Sequence, residues 1–194
     1  MTVNGIGRFV FANTSDGTIF SGGLTVNDSA TVEVKPNSWP GKGAVTLNGT
    51  STLLMHTGGT ARTGTITVNN GAKLEVAESG TVALGGNLTL RDGATLKFNF
   101  TEKDNAPKLD LTGKTVSFGD QKQITVAISG NRPQGGKFAL TSGGQFAWTG
   151  DENPFTATVA KAAGCPKWVK GIGVDGDGNL YADIIRKGLT IILQ

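Results

Sequence analysis

GGLTVNDSATVEV, at residues 22–34, decides the fold, because three further copies of its pattern follow along the chain. Equivalent apolar residues of the four copies are separated by 21, 21 and 22 positions. A fixed period of this length is typical of a solenoid, in which each repeat stacks on its neighbours. The other copies are GAVTLNGTSTLLM at 43–55, GTITVNNGAKLEV at 64–76 and GNLTLRDGATLKF at 86–98.

Each copy contains two short segments in which apolar and polar residues alternate, as in strands with one buried face. In the first segment Leu24 and Val26 are predicted to point inward, and Thr25 outward. A polar corner follows, and the second segment resumes the alternation. The predicted inward residues are Leu24, Val26, Val32, Val34, Val45, Leu47, Leu53, Met55, Ile66, Val68, Leu74, Val76, Leu88, Leu90, Leu96 and Phe98.

Two polar positions recur between these apolar residues. If each copy is one coil of a parallel β-helix, equivalent residues stack about 4.8 Å apart. The outward threonines should then form one ladder and the corner asparagines another, which Arg91 interrupts in the fourth copy. We expect the asparagines at the corners because Asn tolerates a left-handed backbone. The two predicted ladders consist of Thr25, Thr46, Thr67 and Thr89, and of Asn27, Asn48 and Asn69.

The composition agrees with a narrow β-solenoid of one domain. The 194 residues include 30 glycines, only 37% are apolar, and 17% are charged. Short strands and many corners are expected of such a chain, rather than helices. The 18 Lys and Arg residues against 15 Asp and Glu are spread along the sequence, which argues against a nucleic-acid partner. No apolar run is long enough to cross a membrane, so we expect no direct membrane insertion.

The remaining segments are predicted to extend and close the solenoid. Residues 1–21 resemble another coil, and residues 81–84 a third strand that makes the cross-section triangular. After Phe98 the period fails, and residues 101–108 are predicted to form an exposed excursion. Irregular coils follow. We interpret an aromatic cluster as the cap that a solenoid end needs; its members are Phe146, Trp148, Phe155 and Trp168.

The C-terminal residues 168–185 read as a β-hairpin around Asp-Gly-Asp-Gly at 175–178. The chain is therefore divided into regular coils at 1–98 and, within the same domain, irregular coils, cap and hairpin at 99–194. Residues 189–193 are apolar and are interpreted as an edge strand. The predicted fold is all-β: a right-handed parallel β-helix with a C-terminal cap and hairpin.

Few residues are candidates for chemistry. Asp175, Asp177 and Asn179 have the alternate spacing that begins a calcium loop, but Leu180 and Arg186 stand where that loop needs Gly and Glu. We interpret these three residues as a hairpin turn and only as weak metal candidates. No other metal site and no cofactor is predicted.

Two further candidates concern polysaccharides. Trp39, in a loop with two prolines, is the candidate for stacking on a sugar ring or a partner, although the pattern favours a loop residue that folds onto the coil. Glu33 and Glu75 lie in one outward row, about two coil spacings or roughly 9.6 Å apart, which is within the range of an inverting carboxylate pair. Leu54 between them and the nearby Lys97 favour a mixed solvated face.

Single reactive side chains receive structural interpretations. His56 is the only histidine and follows an inward strand directly, so we interpret it as a corner residue rather than a member of a catalytic triad. Cys165, the only cysteine, precedes Pro166 and is interpreted as an inert thiol. No catalytic constellation is therefore predicted.

Residues 5–98 resemble the autotransporter-associated β-strand repeat, which has the patterns Gly-x-Gly-x-Phe-x-Phe and Thr-x-Phe-Ser-Gly-Gly-x-Thr-Val-Asn before a short Val-Glu-Val strand. This resemblance implies a right-handed β-helix in a bacterial secreted or surface protein, such as an autotransporter passenger. The matching residues are Gly5, Gly7, Phe9, Phe11, Thr18, Phe20, Ser21, Gly22, Gly23, Thr25, Val26, Asn27, Val32 and Val34.

From the repeats and the resemblance together we expect a non-enzymatic structural module, a stalk or passenger segment of a larger outer-membrane-associated or secreted protein. Its expected partners are neighbouring repeats of the parent chain, and extracellular glycans or proteins if it contributes to adhesion. The alternative hypothesis is a β-helix that binds or cleaves polysaccharides.

Overall fold

A computed structural model describes residues 1–12, 22–38, 41–58, 64–118, 123–144, 146 and 158–186. The regular elements of these residues are strands, numbered β1 to β19 in chain order. Most of them are joined in parallel sheets that stack coil upon coil, so the predicted all-β parallel β-helix is confirmed. The described part of the chain has no helix long and apolar enough to span a membrane.

The first sheet contains the first strand of each coil. Its strands pair in parallel, with Thr25 opposite Thr46, Thr46 opposite Thr67 and Thr67 opposite Thr89. The predicted threonine ladder is therefore confirmed, and Thr2 extends it toward the N-terminus. The strands, in sheet order, are β1 (Thr2–Val3), β3 (Leu24–Val26), β5 (Val45–Leu47), β7 (Ile66–Val68), β10 (Leu88–Leu90) and β13 (Val116–Ser117).

The second sheet contains the second strand of each coil and is also parallel. It places Val32 opposite Leu53, and Leu53 next to Leu74 on the following coil. Residues at the same position of each repeat thus form continuous rows along the solenoid. The strands, in chain order, are β2 (Ile6–Phe11), β4 (Ser29–Val34), β6 (Thr52–Met55), β8 (Lys73–Val76), β11 (Thr95–Phe100), β14 (Gln123–Gly130) and β17 (Thr158–Lys161).

A third parallel sheet begins at the fourth coil and makes the cross-section three-sided. It confirms the predicted third strand, which spans Gly80–Ala83. In this sheet Val82 lies opposite Leu109, and Leu109 opposite Thr141. Its strands are β9 (Gly80–Ala83), β12 (Pro107–Asp110) and β16 (Thr141–Ser142).

A small antiparallel sheet lies at the C-terminal end. The predicted hairpin is confirmed, since Val174 pairs with Leu180 across the turn. The same sheet also includes residues 136–139, which lie in the region that the sequence predicted as irregular coils. Its strands, in sheet order, are β15 (Gly136–Ala139), β19 (Leu180–Ile184) and β18 (Val169–Val174).

Every residue that the alternation predicted to be inward in the four copies is buried in one continuous core. Alternating strand residues point to opposite faces, so the period of two in the sequence was sufficient to identify them. Of the residues predicted to form the aromatic cap, Phe146 is buried and Trp168 has its ring centroid 5.9 Å from that of Phe100. Trp148 and Phe155 lie outside the described residues, as do residues 189–193.

Parallel stacking continues past Phe98, where the 21-residue period ends. Leu88 pairs with Val116, and Thr95 with Thr125, so the connection between equivalent strands lengthens to 28 and 30 residues. The inserted residues 101–105 are exposed, and Pro107 already belongs to β12. The predicted excursion is thus a loop inserted into a coil.

The asparagine ladder is confirmed, but for a different reason from the predicted one. The Nδ2 of Asn48 donates to Asn27 Oδ1 at 2.8 Å, and Asn69 donates to Asn48 at 2.6 Å. Asn27 in turn donates to Asn4 at 2.7 Å. The left-handed backbone falls instead one position later, at Asp28 with φ 59° and at Gly49 with φ 63°. The asparagines are therefore selected by their side-chain hydrogen bonds rather than by their backbone conformation.

Candidate functional site

A cluster of charged side chains joins the first four coils on the outer side of the second sheet. We call it the Glu33 cluster; its members are Arg8, Glu33, Lys35, His56 and Glu78. Arg8 lies on β2 and Glu33 on β4. Lys35 and His56 directly follow the ends of β4 and β6, and Glu78 lies two residues after the end of β8. Strands in parallel register place these positions close together on successive coils.

Glu33 is the centre of the cluster and is buried, with an exposed fraction of 1%. Its Oε2 is paired with the Arg8 guanidinium. Its Oε1 lies 2.6 Å from Lys35 Nζ and 2.7 Å from His56 Nε2. Burial acts to raise the pKa of Glu33, but hydrogen bonds from Lys35, Arg8 and His56 outweigh it and lower the pKa to about 2. The carboxylate is therefore ionised at neutral pH.

His56 bridges two carboxylates of different coils. Its Nε2 faces Glu33, and its Nδ1 lies 3.3 Å from Glu78 Oε2. A neutral imidazole has a single N–H and can donate to only one of these oxygens, whereas an imidazolium donates to both. The interpretation of His56 as a corner residue is compatible with its place after β6, but the sequence did not indicate either partner.

Glu78 closes the cluster on the fourth coil. Its Oε1 accepts hydrogen bonds from the backbone N–H of Thr57 at 3.2 Å and from the Thr57 hydroxyl at 3.0 Å. Burial acts to raise the pKa of Glu78, but these bonds and the one from His56 lower it overall. Among the described residues, no group of three or more His, Cys, Asp and Glu side chains is arranged to hold a metal ion.

The outward row that sequence analysis considered for polysaccharide cleavage has the predicted order. Glu33 lies opposite Leu54, Leu54 opposite Glu75, and Glu75 opposite Lys97. Glu75 forms an ion pair with Lys97 at 2.9 Å. Both carboxylates of the row are thus paired with cations of the chain itself.

The three weak metal candidates form the hairpin turn between β18 and β19. Asp175 Oδ1 accepts from the backbone N–H groups of Asp177 at 3.0 Å and Asn179 at 2.8 Å. Asn179 Oδ1 accepts from the N–H of Gly144 at 2.9 Å and ties the turn to the preceding loop. These contacts agree with the hairpin-turn interpretation.

Trp39 and Cys165 are the remaining residues for which the sequence suggested a role. Trp39 lies outside the described residues, so its predicted stacking role stays a prediction. Cys165 packs beside β14, where its Sγ accepts from the N–H of Ile128 at 3.2 Å. The thiol therefore has a structural contact in the second sheet.

The Glu33 cluster is what sequence analysis missed. Arg8, Glu33 and His56 are separated by 25 and 23 residues, close to one coil each, and that spacing was the available signal. That spacing alone does not distinguish a buried cluster from a row of solvated side chains at the strand ends.

Comparison with protein-family models, with curated proteins and with solved structures finds no match to this chain.

Proposed function

We propose that this chain is a non-enzymatic structural module: a stalk or passenger segment of a bacterial surface or secreted protein, which presents other regions and contributes to adhesion. The observation that carries the proposal is the continuity of the solenoid. Rows of identical or similar residues run along it without a change of register, from Thr2 to Thr89 in the first sheet. Stacked repeats of this kind derive their stability from contacts between neighbours.

The outer surface supports a structural role. In the Glu33 cluster each carboxylate is engaged by groups of adjacent coils, and Asn4, Asn27, Asn48 and Asn69 are connected by side-chain hydrogen bonds. Such contacts join coils together rather than leaving groups free for a substrate. They favour a module that resists separation of its coils.

The N-terminal end favours neighbouring coils as partners. Strands β1 and β2 are the outermost strands of their two sheets. Phe9 belongs to an inward row opposite Val32, yet 40% of it is exposed, and Ile6 is 89% exposed. A further coil of the same type would cover Phe9 and supply partners for both strand edges.

Cell fractionation tests this proposal. An antibody against the chain should detect a band far larger than 20.0 kDa in the outer membrane or the medium of the producing bacterium. A soluble cytosolic band of that mass would contradict the surface role and leave only the fold.

The alternative is a β-helix that binds or cleaves polysaccharides, for which the sequence offers Trp39 as a candidate. Incubation with a panel of polysaccharides, followed by assays for reducing ends and unsaturated products, distinguishes the two. Product formation would overturn the structural proposal. Retention of a glycan without product, lost in Trp39→Ala, would indicate a binding module.

A further inference from the structure

Two cavities at the C-terminal end have mostly basic side chains among the charged residues that line them. Their lining residues include five Lys or Arg and one Asp among the described residues, whereas the whole chain has 18 basic and 15 acidic residues. Opposite charges nearby would neutralise such a surface, but Glu102 and Asp104, which flank Lys103 in sequence, do not line either cavity. The basic residues are Lys103, Arg132, Lys137, Lys170 and Arg186.

The first cavity has a volume of about 270 Å³ and lies between the 101–106 loop and residues 132–135. The N–H of Gln134 donates to the carbonyl oxygen of Lys103 at 2.9 Å, which holds the two segments together. Lys103 and Arg132 supply its charge, and Pro133 supplies an apolar wall. Its volume is slightly below the usual range for small-ligand pockets, which is about 300–1,000 Å³.

Arg132 is only partly satisfied by the protein. Its Nη2 donates to the carbonyl oxygen of Ile185 at 2.7 Å, which fixes the guanidinium against the end of β19. Its Nε is buried and has no hydrogen-bond partner among the residues that the structure describes. Because Nε has almost no accessible surface, a ligand can meet only the other N–H groups of the guanidinium, and a carboxylate is the acceptor that these groups bind best.

The second cavity has a volume of about 630 Å³ and adjoins the first, because Gly135, which lines the first cavity, contacts Arg186, which lines the second. That contact is close enough that a Cβ on Gly135 would collide with the Arg186 backbone. Lys137, Lys170 and Arg186 line the cavity, and Asp183 is paired with Lys170 at 3.4 Å. Ile185, which is 44% exposed, contributes apolar surface beside these charges.

This arrangement distinguishes among anionic ligands. Nucleic acid is usually bound by a continuous basic stripe that follows the phosphates, and a flat membrane is contacted by side chains that project outward. Here the cations line two concave sites divided by a backbone contact, and each site combines charge with apolar surface. A chain of sugar rings that carries one carboxylate per ring has that alternation of charged and apolar groups.

We propose that the C-terminal end binds an acidic polysaccharide, with carboxylates of neighbouring or nearby uronate residues in the two cavities. Arg132 and Lys103 bind one carboxylate, and Lys137, Lys170 and Arg186 bind another. This binding activity goes beyond the structural role and does not depend on it, because it concerns the cap and not the stacked coils.

Calorimetry with a hexameric oligogalacturonate tests the proposal, with the fully methyl-esterified hexamer as the uncharged control. The chain should bind the acid form and not the ester. The variant Lys103→Gln/Arg132→Gln should weaken binding by about tenfold or more, since two charge-assisted hydrogen bonds are lost. The variant Lys103→Gln/Lys170→Gln should also weaken binding. It keeps the hydrogen bond from Arg132 to Ile185 and therefore tests the proposal even if the first variant does not fold.

The matched control is Lys42→Gln/Lys73→Gln, which removes two exposed lysines that line neither cavity. We expect this pair to change the affinity by about twofold or less, because exposed distant charges are screened by salt. Equal weakening by both pairs, or binding of the ester as tight as that of the acid, would overturn the proposal. So would tighter binding of duplex DNA or anionic vesicles with the same dependence on Lys103 and Arg132.

Discussion

The Oε1 of Glu33 lies 2.7 Å from Nε2 of His56, although the two residues belong to successive coils and are 23 positions apart. The contact connects the second and third coils by side chains, in addition to the backbone ladder between β4 and β6. Because Glu33 is buried and its partners are cationic or hydrogen-bond donors, removing its charge should affect both stability and its dependence on pH.

Glu33→Gln should lower the free energy of unfolding at neutral pH by about 1–3 kcal/mol, the usual range for a lost charge-assisted hydrogen bond. The pKa of Glu33 falls from its ordinary value of 4.5 to about 2 on folding, so the native state binds fewer protons than the unfolded state. Its contribution is therefore complete above pH 4.5 and is lost as the pH falls toward 2. Urea titrations at several pH values measure this.

The variant Glu102→Gln is the control for that titration, since it removes an exposed carboxylate outside the cluster. Wild-type protein should lose more stability than Glu33→Gln over the acid range. If the free energy of unfolding falls equally with pH in the wild type and in Glu33→Gln, the cluster does not stabilise the ionised form of Glu33.

Ile66→Asp should unfold the module. Ile66 is fully buried in the core between Val45 and Leu88 of the adjacent coils, and an aspartate there would be an unpaired charge. We expect a loss of more than about 4 kcal/mol, seen as loss of the β-sheet signal in circular dichroism. Asn70→Asp places the same charge at an exposed corner, and a similar loss there would mean that charge, rather than burial, is responsible.

Asn48→Ala should destabilise the protein more than Asn4→Ala. Asn48 donates to Asn27 and accepts from Asn69, whereas Asn4 accepts one ladder hydrogen bond at the end of the row. At about 1 kcal/mol for each bond, the central variant should lose roughly twice as much. Equal thermal denaturation midpoints for the two variants would show that the ladder contributes little.

Gly49→Ala and Gly113→Ala separate backbone strain from steric collision. Both glycines have positive φ, 63° and 71°, so each alanine should cost about 1–2 kcal/mol. A Cβ at Gly49 would also lie 2.8 Å from the carbonyl oxygen of Asp28, while nothing lies within 4 Å of one at Gly113. Gly49→Ala should therefore unfold at lower urea concentration, and the opposite order would contradict close stacking at this corner.

The core was predictable from the sequence because the alternation within each strand and the repeat between coils together identify its residues. Alternation assigned the buried face of each strand, and the 21-residue repeat assigned its neighbours, so Leu53 and Leu74 could be placed together before any coordinates. The pairing of β15 with β19 could not be found in this way. Paired residues of those two strands are 42 to 48 positions apart, and no repeat relates them.

Outward positions were predicted less well, for a physical reason. A repeat identifies which backbone positions are adjacent, but the length and direction of side chains decide which groups meet. Glu33 is buried because Arg8, Lys35 and His56 converge on it from three coils. Similarly, the sequence placed asparagines at the corners but attributed to them the left-handed conformation that Asp28 and Gly49 adopt.

Because the coils have similar sequences, the order in which they stack needs to be specified by something other than the repeat itself. A coil displaced by one whole repeat would still place threonine on threonine and apolar residues on apolar residues, so those rows do not exclude a slipped arrangement. The Glu33 cluster differs, because Arg8, His56 and Glu78 contribute contacts that the corresponding positions of other copies do not reproduce. It forms when the first four coils follow one another in their native succession, and it therefore gives interchangeable repeats a defined sequence along the axis.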